Sequence, residues 1–139
     1  MSETGNNAIQ FELVSPEARL MDEPAVMVVL PGTDGDIGVL PEHSPLVSTM
    51  RAGVVSIYKE NKTTVTDQIF LAGGFADVTG ERVTVLAEEA IPVSKIDIEE
   101  VQKQIDAYKA DLANGSDKTH EAEHLAILEA KLVAVQNAA

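Results

Sequence analysis

The sequence contains no cysteine and no tryptophan, and aromatic residues fill only 4% of its 139 positions. These absences exclude disulfides, thiolate catalysis and cysteine-ligated zinc, and they require an aliphatic core. Basic residues are scarce as well, because 10 Lys and Arg face 23 Asp and Glu for a formal net charge of −13. Such a charge repels nucleic acid and anionic lipid surfaces, and it favours a basic protein surface as the partner.

Long apolar runs and a leader pattern are also missing. The apolar run "AVMVVL" at residues 25–30 is far shorter than the ~20 residues that span a bilayer. The start, "MSETGNNAIQ", has neither the basic region nor the apolar stretch of a signal peptide. We therefore expect an intracellular protein without lipid insertion, built as one domain or as a small domain with an appendage.

The first part of the chain, from Ile9 to about Ala90, has the period of β-strands. Apolar and polar residues alternate in "IQFELV", and β-branched runs of strand length follow in "AVMVVL", "GVVSIYK", "TVTDQIFLA" and "RVTVLA". We interpret "KENK", "AGG" and "VTGER" as the turns between them. Short strands at short intervals predict an antiparallel β-sandwich or barrel.

The last part of the chain has a helical period instead. Two apolar stripes recur at steps of three and four residues, and together they form the predicted seam of a helical hairpin: Ile98, Val101, Ile105, Tyr108 and Leu112, then Leu125, Leu128, Leu132 and Val135. Asp97 is placed to cap the first helix with Glu100 as its reciprocal partner, and Asn114-Gly115 predicts the turn. A hairpin of about 45 residues is marginal alone, so we expect it to pack on the sandwich or on a partner, either permanently or as a mobile element.

A glycine-rich stretch, "PGTDGDIGVLPEHSPLV" at residues 31–47, raises three possibilities. A phosphate loop is disfavoured, because the glycines at 32, 35 and 38 follow a GxxGxxG spacing, the acids are Asp34, Asp36 and Glu42, and no Lys or Arg is present. Calcium is conceivable, but the acids do not fit the twelve-residue calcium loop. We interpret the stretch as a rigid, acid-tipped corner.

A second motif, "HEAEH" at residues 120–124, matches the H-E-x-x-H signature of zinc proteases. On a helix His120 and His124 would share one face, with Glu121 as general base and Glu129 as a possible third ligand. The motif opens a terminal helix without a cleft-forming lobe, and a solvated charged face explains it as well. We predict no catalytic residue, no metal and no cofactor, and keep a small zinc-dependent hydrolase as the alternative function.

Several stretches in a fixed order resemble one known family. "LPGTDGDIGVLPEHSPLVSTMRAGVVSI", "LAGGFADVTGERVTVLAEEAI" and the early "FELVSPEARL" are similar to the epsilon subunit of bacterial F-type ATP synthases over essentially the whole chain. The resemblance implies an antiparallel sandwich of about ten strands over residues 1–91 and a two-helix hairpin over residues 92–139. It also implies a noncatalytic central-stalk subunit that couples rotation of the c-ring to ATP synthesis, peripherally at the cytoplasmic face of the bacterial membrane.

The resemblance also assigns partners and contact residues. The sandwich would bind the gamma subunit and rest on the c-ring, and the hairpin would be able to reach the catalytic beta subunits. The positions that match the ring contact are Asp36 and His43, with their neighbours Glu42 and Ser44. An acidic tip suits a ring loop that carries Arg or Lys.

Two departures from the family pattern concern the hairpin. Where some members bind ATP through an Ile/Leu-Asp-x-x-Arg-Ala motif, this chain keeps Asp97 but has Glu100 in place of the Arg, so we expect no ATP binding. In the family the second helix can also extend and block rotation with basic residues. From residue 120 to the end this helix has one Lys and three Glu, so we predict weak inhibition of ATP hydrolysis at most.

Overall fold

Eight strands and two helices make up the computed structural model, which describes residues 8–113 and 118–136. The strands are β1 (Ile9–Val14), β2 (Arg19–Ala25), β3 (Met27–Gly32), β4 (Gly35–Val39), β5 (Leu46–Tyr58), β6 (Asp67–Val78), β7 (Arg82–Leu86) and β8 (Ala90–Pro92). A 3-10 turn (Val93–Lys95) leads to the helices α1 (Ile98–Ala113) and α2 (Lys118–Gln136). No helix in the described parts of the chain has the length and apolar character needed to cross a membrane.

The strands form one continuous sheet that folds over on itself. Its order is β2-β1-β7-β6-β5-β3-β4, with β8 added to β6. The two longest strands, β5 and β6, run through both layers: the first half of β6 pairs with β8, and its second half pairs with β7. Between the layers lies a mainly aliphatic core to which both layers contribute. Phe11 of β1 and Val28 of β3 are both fully buried in it.

The bend in β6 falls at Gly73 and Gly74, whose φ angles are 104° and 148°. A Cβ on Gly74 would lie 2.3 Å from the carbonyl oxygen of Leu86, so only glycine fits there. The interpretation of "AGG" as a turn between strands is therefore wrong, because these glycines bend a continuous strand instead of ending it.

The class of fold predicted from the sequence is confirmed, with differences in detail. The described residues contain eight strands where about ten were expected, and β1 pairs with β7 in parallel although all pairs were expected to be antiparallel. Alternation indicates that a segment is a strand but carries no information on its distant partner. Three strands were also missed: β2 lies at an exposed edge without a clear alternation, β4 lies inside the glycine-rich stretch, and β8 has only three residues.

An ionic cluster joins β2 to the β5–β6 connection. Lys59 contacts Glu23 and, at 2.9 Å, Asp67. The hydrogen bond to Glu23 raises the pKa of Lys59, against the opposing effect of its burial. The stabilisation of the folded state by this lysine is therefore present below the unfolded-state pKa of Lys59. It is lost as the pH rises through the raised pKa of Lys59 in the folded state.

The first helix begins as predicted. Asp97 Oδ1 accepts hydrogen bonds from the backbone N–H groups of Glu99 (3.0 Å) and Glu100 (3.2 Å). The predicted reciprocal bond from Glu100 is not formed, since its carboxylate instead accepts a bond from Gln104 at 3.4 Å. The predicted turn at Asn114-Gly115 lies outside the described residues.

The helical seam is largely as predicted. Val101, Ile105 and Leu128 are buried between α1 and α2, and Tyr108, Leu125 and Leu132 pack around them. Ile98 does not take part, because 45% of it is exposed at the start of α1. Val135 points to the sandwich instead, and the side chain of Leu112 lies outside the description.

A second apolar face of α2 packs on the sheet. Ala134 is buried beside Phe70 of β6 and Val93, and further partly buried residues complete this docking cluster: Ala52, Val54, Ala72, Ile91, Ile96, Ile127, Ala130 and Val135. Phe70 faces this cluster because its neighbours Ile69 and Leu71 point into the sandwich core. The helix α2 therefore lies between α1 and the sheet.

Candidate interaction surfaces

The β3–β4 turn is held firmly against β5. The backbone N–H and the hydroxyl of Thr33 both donate to the carbonyl of Thr49, at 3.2 and 3.0 Å. Arg51 reaches across with both guanidinium arms, donating to the carbonyl of Gly32 and to Asp36 Oδ1, each at 2.6 Å. The predicted contact residue Asp36 is therefore paired within the chain, by Arg51 of β5.

The other three predicted contact residues lie beyond β4. Glu42 has a positive φ of 68°, and its N–H donates to the carbonyl of Gly80 at 2.7 Å, which ties this loop to the β6–β7 turn. His43 Nδ1 donates to the carbonyl of Ser44 at 2.7 Å, so the ring orientation is fixed locally. The structure thus places Glu42, His43 and Ser44 in one loop, while Asp36 lies in β4, next to the β3–β4 turn.

An apolar patch covers part of the outer face of the β5-β6-β7-β1 layer. Phe75 pairs with Leu86 and with Thr49, while Val14 pairs with Leu86 and Val47 lies two residues before Thr49. Paired residues share a face, so Val14, Val47, Phe75 and Leu86 all point outward. Val47 is 59% exposed and Leu86 47%, and a groove of about 420 Å³ opens beside them at Ser15 and Pro16.

Part of the rest of this outer face is a cluster of ion pairs around Glu12. Glu12, which is mostly buried, accepts from Arg19 Nε at 2.7 Å and from Arg82 Nη1 at 3.0 Å. Asp22 lies 3.7 Å from Arg82 and accepts a hydrogen bond from Gln10 at 2.6 Å. The Glu12 cluster is therefore paired within the chain, whereas the exposed Asp77, which stands opposite Val47, forms no ion pair with the described residues.

The docking of α2 ends in a polar contact. Lys131 Nζ lies 2.7 Å from Glu89 Oε2 and 5.9 Å from the centre of the Phe70 ring. Its side chain is largely buried, at 15% exposure, whereas Glu89 is half exposed. Lys131 is the one lysine in the sequence from residue 120 onward. In this docked arrangement it is paired with Glu89 of the sandwich.

A cleft of about 700 Å³ separates the hairpin from the sandwich. Among the described residues, its lining includes three carboxylates, those of Glu88, Glu89 and Asp111. Of the same described residues, it also includes one lysine, Lys131, and no arginine. Because Lys131 already pairs with Glu89, the cleft offers a triphosphate mainly negative charge. Glu100, the residue on which the prediction of no ATP binding rested, is not part of the cleft lining.

The candidate zinc motif is only partly described. His124 stacks on Tyr108, with 5.7 Å between ring centres and 18° between planes. The side chains of His120 and Glu121 lie outside the description. Among the side chains that are described, no group of three or more His, Asp or Glu residues is arranged to hold a metal ion.

Comparison with known proteins identifies the family. Residues 8–93 match the family model of the ATP synthase delta/epsilon chain β-sandwich domain. The ATP synthase epsilon chain of Rhodospirillum centenum is 47% identical over 131 residues, covering 92% of this chain and 87% of the relative. That of Rhodospirillum rubrum is 48% identical over 125 residues and 90% of each chain.

Solved structures agree with these relatives. A chain in the cryo-EM structure of the Euglena gracilis mitochondrial ATP synthase (OSCP/F1/c-ring) superposes with a TM-score of 0.80 at 25% identity, covering 97% of this chain and 87% of that one. A chain in the central stalk/c-ring structure from Tetrahymena thermophila shares the fold, with a TM-score of 0.57 at 10% identity. The comparisons give the zinc hydrolase no support, and the chain belongs to the ATP synthase epsilon family.

Proposed function

We propose that this chain is a noncatalytic subunit of the central stalk of a proton-translocating ATP synthase, coupling c-ring rotation to ATP synthesis. Membership of the epsilon family supports the role, as does the Euglena relative in an assembly that includes F1 and the c-ring. Attachment through the ring would keep the chain peripheral, at the cytoplasmic face of the membrane. In this proposal residues 1–91 carry the contacts with gamma and the c-ring, and residues 92–139 form an accessory hairpin.

The apolar patch is the proposed binding surface for the gamma subunit, and it is the observation on which this role chiefly rests. Val14, Val47, Phe75 and Leu86 form a neighbouring set on one face, beside a cluster of ion pairs around Glu12 that is formed within the chain. Burying them against a partner would contribute about 25 cal/mol per Å² of apolar area. An aromatic and aliphatic centre with a polar rim is the usual composition of a protein interface.

Binding to purified gamma tests this assignment. Leu86→Glu places a charge in the centre of the patch, and we expect it to weaken gamma binding at least tenfold, as measured by calorimetry. Val133→Glu is the matched control, because Val133 on α2 is similarly exposed (51%) but lies on another surface. Equal affinities for the two variants would remove the patch from the interface, and no affinity of the unaltered chain for gamma would remove the proposed role.

Two polar segments of the sandwich are the proposed contacts with the c-ring. One is the β3–β4 turn with Asp36 at the start of β4, and the other is the loop that carries Glu42, His43 and Ser44. Both are fixed by backbone hydrogen bonds to neighbouring turns or strands, so little ordering is required on binding. We expect Asp36→Lys to weaken coupling, because like charges would then meet at the ring. Normal ATP-driven proton pumping by membranes that carry this variant would argue against a charge-sensitive contact.

The hairpin is proposed to inhibit hydrolysis weakly and to bind no ATP. Extending α2 would expose the docking cluster, break the contact of Lys131 with Glu89 and present an acidic helix to the catalytic beta subunits. The carboxylates that line the cleft support the absence of nucleotide control. Calorimetric titration with ATP should give no saturable heat, and a micromolar dissociation constant would contradict this part of the proposal.

A further inference from the structure

We propose that Arg51 is a positioning residue of the ring contact, and that Asp34 is the carboxylate which the β3–β4 turn offers to a cationic side chain of the partner. The inference rests on the proposed function, namely that this turn meets the ring. It changes the role of Asp36, which acts on Arg51 within the chain instead of on the partner.

The charge of Asp36 is already compensated. Arg51 Nη2 lies 2.6 Å from Asp36 Oδ1, while Nη1 donates to the carbonyl of Gly32 at the same distance. This fork joins the two sides of the turn, since Gly32 precedes it and Asp36 follows it. A cation on the partner would have to compete with Arg51 for Asp36, so this carboxylate is poorly suited to be the contact.

The same turn is fixed by three further features. Thr33 donates two hydrogen bonds to the carbonyl of Thr49 and lies 2.9 Å from the Thr49 hydroxyl. A Cβ on Gly32 would lie 2.6 Å from the carbonyl of Gly35, and one on Gly53 would lie 2.9 Å from Pro31. The two glycines therefore allow a close approach of turn and strand, and Arg51 closes it from the outside.

Asp34 occupies the tip of this fixed turn. It is exposed, and its carboxylate forms neither an ion pair nor a hydrogen bond with the described residues. Thr33 on one side is bonded to β5, and Gly35 on the other has a φ of 140° that suits a tight turn. The turn thus presents one uncompensated negative charge on a rigid backbone, which is the arrangement that gives charge-dependent association with a basic loop.

A charge exchange between Arg51 and Asp36 separates the two roles. Membranes reassembled with the full-length chain are assayed for ATP-driven proton pumping and for the salt dependence of assembly. Asp36→Arg and Arg51→Asp should each reduce pumping severalfold, because each leaves like charges in the fork. The double variant Asp36→Arg/Arg51→Asp restores an ion pair with the opposite polarity, and we expect pumping within twofold of the unaltered chain.

Asp34→Arg provides the complementary arm. We expect it to reduce pumping severalfold and to flatten the salt dependence, without a change in thermal stability and without rescue by the exchanged pair. A double variant as impaired as Asp36→Arg alone would show that Asp36 meets the partner directly, and normal pumping by Asp34→Arg would remove Asp34 from the contact. If the unaltered chain itself fails to restore pumping, the proposed function is overturned and this inference with it.

Discussion

The sandwich and the hairpin are held together in different ways. The sandwich core draws on strands that are distant in sequence, such as β1 and β7, and its two layers are joined through the continuous strands β5 and β6. The hairpin is a local structure whose contact with the sheet comes mainly from α2, through small side chains such as Ala130 and Ala134. The difference indicates a rigid part that carries the proposed contacts and a part whose docking can be weakened separately.

The largest effect on the sandwich is expected at the bend in β6. Gly74→Ala should destabilise the fold by at least about 3 kcal/mol, because it combines an unfavourable positive φ with a close contact to the Leu86 carbonyl. Urea unfolding followed by circular dichroism measures the loss. The control is Gly38→Ala on β4, where a Cβ meets nothing within 4 Å; comparable losses at both positions would refute the steric explanation.

The second largest effect is expected where the hairpin docks on the sandwich. Ala134→Glu places a charge in the docking cluster, where an uncompensated buried charge costs several kcal/mol, so the hairpin should leave the sheet. Hydrogen exchange should show loss of protection in α2, while the strands of the sandwich keep theirs. Val133→Glu, one residue earlier and exposed, serves as the control. Loss of protection throughout the sandwich would mean that the two parts form one cooperative unit.

A smaller effect is expected from the polar end of the docking surface. Lys131→Met removes the contact with Glu89 and the cation–π contact with Phe70, so docking should weaken by about 1 kcal/mol. Glu89→Gln removes only the ion pair and should have a smaller effect that vanishes at high salt. Protection factors in α2 measure both variants, and equal effects would show that the Phe70 contact adds nothing.

The smallest effect should stay within α1. Asp97→Ala removes a side chain that caps two backbone N–H groups, which costs about 1 kcal/mol of helix stability. Exchange rates at Glu99 and Glu100 report it. Asp106→Ala, in the middle of the same helix, is the control, and equal exchange in the two variants would argue against the cap.

The sequence predicted local features well and long-range ones poorly. The Asp97 cap and the seam of Val101, Ile105 and Leu128 followed from spacing along one helix. The docking face of α2 was missed because it relies on alanines, which do not stand out in a helical pattern. The pairing of Arg51 with Asp36 was missed because β3–β4 and β5 meet only through the register of the sheet.

The most direct test of the account is ATP hydrolysis by the assembled complex with and without residues 92–139. If the sandwich carries the contacts and the hairpin stays docked as an accessory, deletion should leave gamma binding intact and the hydrolysis rate within twofold of the full-length complex. A severalfold rise in hydrolysis on deletion would contradict the account, because it would show that the hairpin leaves the sandwich and inhibits despite its acidic second helix.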